Sequence, residues 1–135
     1  MADVLPPLPV PGPDNLEFWE GCARHELRIQ RCAKCRAARF YPRPACPDCG
    51  ALAHEWIRCS GRATVFTWTV VHPPTLPAFA AIAPYVAGIV QLEEGPFMVG
   101  QIRGVAADAV RAGLRVHVEF DDVLEGVSLP HWRAA

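Results

Sequence analysis

Four cysteines carry the clearest chemistry in this sequence. Cys32-x-x-Cys35 is followed, after ten intervening residues, by Cys46-x-x-Cys49. A C-x-x-C pair folds into a tight knuckle whose backbone amides point at sulfur. Two such pairs together supply four thiolates, the closed tetrahedral set of a structural zinc site. Iron remains open, because a rubredoxin-like site uses the same four ligands. A closed set leaves no position for water or substrate, so the expected role of the metal is structural. Gly50, directly after the second pair, suits the positive backbone dihedral that such a knuckle uses. Pro42, Pro44 and Pro47 stiffen the connection between the pairs.

The remaining reactive side chains do not assemble into a motif. Cys22 and Cys59 are isolated and read as small buried apolar residues. His25, His54, His72, His117 and His131 are scattered, and Asp121-Asp122 reads as a solvated turn. The sequence contains no G-x-S-x-G, no phosphate loop and no dinucleotide fingerprint. The expectation is a chain that is not an enzyme on its own.

Composition narrows the class further. The 135 residues are 51% hydrophobic and 20% charged, enough apolar material for a core. The formal net charge of −1 argues against a generic polyanion binder, but the charge is uneven. Arg24, Arg28, Arg31, Lys34, Arg36, Arg39 and Arg43 face only Glu26 across residues 24 to 43. Residues 1 to 13 are Pro-rich, with no basic start and no continuous apolar run, so no signal peptide is expected. Paired cysteines without a secretory signal point to a reducing, cytoplasmic setting. Residues 63 to 92 carry no Asp, Glu, Lys or Arg, but prolines interrupt them and no membrane insertion is expected.

The positioning elements follow from periodicity. Asp14 or Asn15 can cap a helix through Leu16, Phe18, Trp19, Cys22 and Ala23, extending as far as Leu27. Strands are expected at His54–Cys59, Ala63–Val71, Tyr85–Leu92, Phe97–Ile102, Arg115–Phe120 and Val127–Trp132, with a short helix at Ala106–Ala112. In the second of these, Val65, Thr67, Thr69 and Val71 share one face, and Phe66, Trp68 and Val70 the other. Residues 72 to 84 form a Pro/Ala loop. The fold class is mainly β: an N-terminal arm and helical segment over 1–28, a rubredoxin-like zinc ribbon over 29–58, and an OB-fold over 59–135. The OB-fold is a five-stranded barrel with one short helix between its third and fourth strands.

Two features ask for a partner. The uncharged loop carries Leu76, Phe79 and Ile82, which form either an exposed contact patch or a lid on the barrel end. The arginines of the ribbon either meet phosphates or are solvated; twelve of the thirteen basic residues are arginine.

The order of these motifs resembles a family known as domain of unknown function thirty-five. The resemblance rests on Phe18-Trp19, Leu27, Arg31-Cys32-x-x-Cys35 and Tyr41-Pro42-Arg43-x-x-Cys46-x-x-Cys49-Gly50. It continues through Ser60-Gly61-Arg62-Ala63-Thr64-Val65, Pro84-Tyr85, Glu94-Gly95-Pro96 and Gly113-x-x-Val116-x-Val118-x-Phe120, covering roughly residues 16 to 122. It implies a helical segment, a zinc ribbon and an OB-fold in a chain assembled with thiolase-like or lipid-transfer-protein enzymes. Such chains support sites that handle CoA thioesters, including retro-aldol cleavage of a steroyl-CoA. An acyl-CoA would then be a ligand of the complex. On that reading Arg28, Arg39 and Arg43 are candidates for CoA phosphates. Phe18, Trp19, Leu76, Phe79, Ile82 and Tyr85 are candidates for contact with the partner or the acyl group. The competing expectation is a single-stranded nucleic-acid module. The few basic residues on the third and fourth barrel strands and an isoelectric point near 6.5 make nucleic acid the weaker partner.

Overall fold

In the computed structural model, residues 5–72 and 76–135 are described. The expected loop over 72 to 84 therefore falls partly outside the described residues. An extended arm leads into helix α1 (Leu16–Ala23). Asn15 occupies the capping position, but its Oδ1 accepts from Gly12 N at 2.7 Å instead of from the helix. The helix ends one turn before Leu27. His25 N donates to Cys22 O at 2.8 Å and Glu26 N to Gly21 O at 2.8 Å, a Schellman-type stop with His25 at φ 60 where glycine is usual. Leu27 is thereby released from the helix into the core, 2% exposed.

Three strands make the ribbon sheet: β1 (Arg28–Cys32), β2 (Ala38–Arg39) and β3 (His54–Arg58), in the order β2-β1-β3. The two-residue β2 was not expected from the sequence, since it is too short to show a period. The barrel follows with β4 (Arg62–Val71), β5 (Tyr85–Leu92), β6 (Phe97–Arg103), β7 (Arg115–Leu124) and β8 (Val127–Ala134). Its closed order β4-β5-β6-β8-β7 is the OB-fold arrangement.

Three expectations are corrected. The helix proposed for Ala106–Ala112 is a single 3-10 turn at Ala107–Ala109, because Gly113 at φ 85 and an extended Val110 end it at once. Asp121-Asp122 lies inside β7, opposite Leu129 and Ser128 of β8, and is not a turn. The two faces of β4 also change midway. Val65 pairs with Val90 and Thr67 with the adjacent Ile89, so Phe66 is an extra residue in a bulge and the parity reverses there. Val65 is 2% exposed, Phe66 60%, and Val70 packs on the core from the side that Val65 uses.

One core joins all parts. Phe18 and Cys22 of α1, Leu27 and Ile29 of the ribbon, and Val90, Met98, Ile102 and Trp132 of the barrel form a single buried cluster. Among the described residues, no helix is long and apolar enough to cross a membrane.

Candidate metal centre and its surroundings

The ribbon brings its four cysteines to one point. Cys32 ends β1, and the chain turns back so that Cys32 N donates to Ala37 O at 2.9 Å and Arg36 N to Cys32 O at 3.1 Å. The second knuckle repeats this geometry: Cys46 N donates to Ala51 O at 2.9 Å and Gly50 N to Cys46 O at 2.9 Å. Equivalent positions take the left-handed conformation, Gly50 at φ 78 as expected and Arg36 at φ 66. Arg36 bears that strain with its guanidinium 2.9 Å from Glu55.

The sulfurs fit a metal. All four Sγ atoms lie within 4.8 Å of one another, with Cys32–Cys49 and Cys35–Cys46 at 3.6 Å. Tetrahedral thiolate ligation at about 2.3 Å places sulfurs about 3.8 Å apart. The amides of Cys35 and Lys34 reach Cys32 Sγ at 3.4 Å, and they lower its thiol to about 6, favouring the thiolate a metal needs. The amides of Cys49 and Asp48 lower Cys46 likewise, while burial and the neighbouring thiols raise Cys35 to about 12. Cys22 and Cys59 lie outside this set. Burial pushes each thiol up to about 12, and both sit in the apolar cluster, away from the metal set.

The basic ribbon face is more committed than its composition suggested. Arg39, a phosphate candidate, is 7% exposed; its Nε donates to Gln30 Oε1 at 2.7 Å and an Nη to Arg43 O at 3.1 Å. Gln30, itself 1% exposed, also accepts from Arg43 N at 2.8 Å. Arg39 therefore braces the loop between the knuckles and does not face solvent. Arg28 lies between Glu17 at 3.1 Å and Glu26 at 3.6 Å, its charge already neutralised. Of the three candidates, Arg43 alone keeps an exposed side chain.

The apolar candidates also divide. Phe18 is 3% exposed, wedged against Trp19 at 4.9 Å and Phe40 at 5.1 Å between ring centroids, so it is core and not held back for a partner. Trp19 is half-buried. Leu76 and Ile82 are 44% and 42% exposed, while Phe79 leans on Tyr85 at 5.8 Å and both are half-buried. Trp19 and Phe79 line one groove, which brings the helix and the loop together as the sequence reading paired them.

Sequence reasoning missed a polar cluster around His131. This imidazole is 4% exposed; its Nε2 lies 3.1 Å from both Glu119 and Arg103, and its Nδ1 has no hydrogen-bond partner among the described residues. Arg103 grips Asp121 at 2.7 Å, and Arg133 grips Glu119 at 2.6 Å. No motif could have announced it, because β7–β8 register alone places His131 opposite Glu119. Burial holds His131 below its ordinary 6.5, while Arg133 and then His131 hold Glu119 below the usual carboxylate range. A group whose folded pKa is depressed contributes stability above its unfolded pKa and loses it on acidification. Stability is thus expected to fall as pH drops below about 6.5, by at most about 1.4 kcal/mol per pH unit for this one proton. Thermal melts of the wild type against His131→Gln from pH 7 to 5 check this; the variant should show a flatter profile in that window.

A four-thiolate ribbon stacked on an OB barrel, with one helix sealing the join, defines the class of protein. Family models agree with it part by part. Residues 19–55 match the description "ChsH2, rubredoxin-like zinc ribbon domain", and residues 56–121 match "ChsH2, C-terminal OB-fold domain". The chain belongs to this zinc-ribbon and OB-fold family, DUF35. A "DUF35 domain-containing scaffold protein" of Methanothermobacter thermautotrophicus is 35% identical over 76% of this chain and 77% of its own length. The "3-oxo-4,17-pregnadiene-20-carboxyl-CoA hydratase alpha subunit" of Mycobacterium tuberculosis is 38% identical over 81% of this chain but 34% of its own length. The chain spans less than half the length of the first two curated relatives it matches. A solved structure titled "Ltp2-ChsH2(DUF35) aldolase" superposes with a TM-score of 0.85 at 33% identity, covering 93% of this chain and 98% of the matched one.

Proposed function

We propose that this chain is a non-catalytic accessory subunit that binds a thiolase-like enzyme of the lipid-transfer-protein type. It helps complete or stabilise that enzyme's acyl-CoA site, and retro-aldol cleavage of a steroyl-CoA side chain is the reaction class. The observation that carries this reading is the superposition, along nearly the whole chain, on one member of a two-component aldolase. The scaffold naming of relatives of similar length supports a non-catalytic role, and the hydratase alpha-subunit name supports steroid-type acyl-CoA chemistry. The metal is zinc in this reading, held by Cys32, Cys35, Cys46 and Cys49 as a folding element. Arg43 is the remaining candidate for a CoA phosphate. Trp19, Leu76, Phe79, Ile82 and Tyr85 remain candidates for contact with the partner or the acyl chain.

Co-expression with a thiolase-like enzyme of the lipid-transfer-protein type tests the proposal. The two chains should co-elute, and acyl-CoA cleavage by the partner should fall at least about tenfold when this chain is omitted, a barrier change of about 1.4 kcal/mol. Full partner activity and solubility without this chain would overturn the reading.

A further inference from the structure

The barrel is closed between β6 and β8 at two positions, Ile102 opposite Trp132 and Arg103 opposite Arg133. Before Ile102, β6 has β5 on one side and, among the described residues, no strand on the other. Which backbone groups lie at that open edge follows from the β5–β6 hairpin. Leu92 N donates to Pro96 O at 2.8 Å. Antiparallel pairs alternate between bonded and non-bonded, so Met98 and Gly100 turn their backbone groups toward β5. Phe97 and Val99 turn theirs toward the gap.

The gap opens into a groove of about 600 Å³. Val99 of β6, Leu129 and Pro130 of β8, and Trp19 and Tyr41 line it, and among the described residues no charged side chain does. Pro7 of the N-terminal arm also lies in this groove. Proline has no N–H, and among the described residues the arm makes no backbone hydrogen bond to β6. The edge is thus flanked by a segment that does not pair with it. An unpaired strand edge in an apolar groove is the arrangement that strand addition uses: backbone bonds supply affinity, and the groove selects side chains.

We propose that the open edge of β6 at Val99 receives an extended, uncharged polypeptide segment of the partner enzyme, which adds as a strand and displaces Pro7. The proposal rests on the accessory-subunit reading and names where the partner enters. The uncharged lining beside Val99 favours uncharged side chains on the face that enters the groove, and the need to meet in-plane backbone donors and acceptors favours a strand over a helix.

Hydrogen exchange at single-amide resolution tests it on the whole chain, free and in complex with the thiolase-like enzyme. The Val99 amide should exchange readily in the free chain and slow by at least about a hundredfold in the complex, as a strand bond requires. Val99→Pro removes that N–H and should weaken the complex at least about tenfold, and by clearly more than Val99→Ala, which keeps the N–H and loses only side-chain contact in the groove. Should Val99→Pro fail to fold, wild-type exchange decides by itself. A complex that forms with Val99 exchange unchanged overturns the inference and leaves the accessory-subunit reading standing. Absence of any complex overturns both. Protection of Val99 by acyl-CoA alone replaces the polypeptide with a small amide-bearing ligand and overturns the proposed occupant.

Discussion

Cys46→Ser is expected to abolish metal binding and unfold the ribbon, with aggregation of the chain rather than release of an intact barrel. Cys46 is 3% exposed, and its Sγ stands 3.6 Å from Cys35 Sγ. A serine hydroxyl cannot replace a thiolate at a soft metal. Structural zinc in small domains supplies apparent binding energies of about 10–16 kcal/mol, comparable to the whole stability of a domain. The damage should spread because Leu27, Ile29 and Phe18 belong to the same cluster as the barrel's Val90 and Trp132. Metal analysis and circular dichroism of the purified variant check this, and a metal chelator applied to the wild type should reproduce it. A well-folded, metal-free variant would refute the structural role of the site.

Trp132→Ala is the second large effect, expected to cost about 3–5 kcal/mol, the range for truncating a buried aromatic. Trp132 is 0% exposed and is the largest fully buried side chain. It stands where β8 meets both β6 and β7, opposite Ile102 and Val118. Its ring fills space left by Gly100, where a Cβ would come within 2.6 Å of Cδ1. Gly100→Ala should therefore also destabilise, since neither the rigid indole nor the backbone can yield cheaply. Among the described residues the indole N–H has no partner, so Trp132→Phe loses packing but no hydrogen bond and should be milder than alanine. Thermal melts give the readout: a fall of more than about 10 °C is expected for Trp132→Ala at this chain length. A fall of only about 2 °C would mean that the barrel does not depend on this closure.

The metal centre was legible before any coordinates because it is local. Two C-x-x-C pairs build two knuckles through bonds only four or five residues apart, as Cys32 N to Ala37 O and Gly50 N to Cys46 O show. The five barrel strands were legible for a related reason, since a half-buried strand writes its pleat into alternating residue types. Exposure at a given position was not legible. Phe18 and Trp19 are neighbours of the same type, yet one is fully buried and the other half-buried, because α1 packs with one face on Phe40 and the barrel. Arg39 and Arg43 read alike as surface charge, but the side chain of Gln30 anchors Arg39 inside and leaves Arg43 outside. The bulge at Phe66 reversed the faces of β4, because one extra residue against β5 shifts the parity of everything after it. Sequence by itself determined the thiolate site and the barrel strands in their chain order, all set by short-range spacing and periodicity; the ribbon strands β1 and β2 were not among them. The tertiary structure alone decided the His131 cluster, the true availability of the arginines and the open edge of β6. Each of these depends on register between segments far apart in the chain, and spacing along the sequence does not encode it.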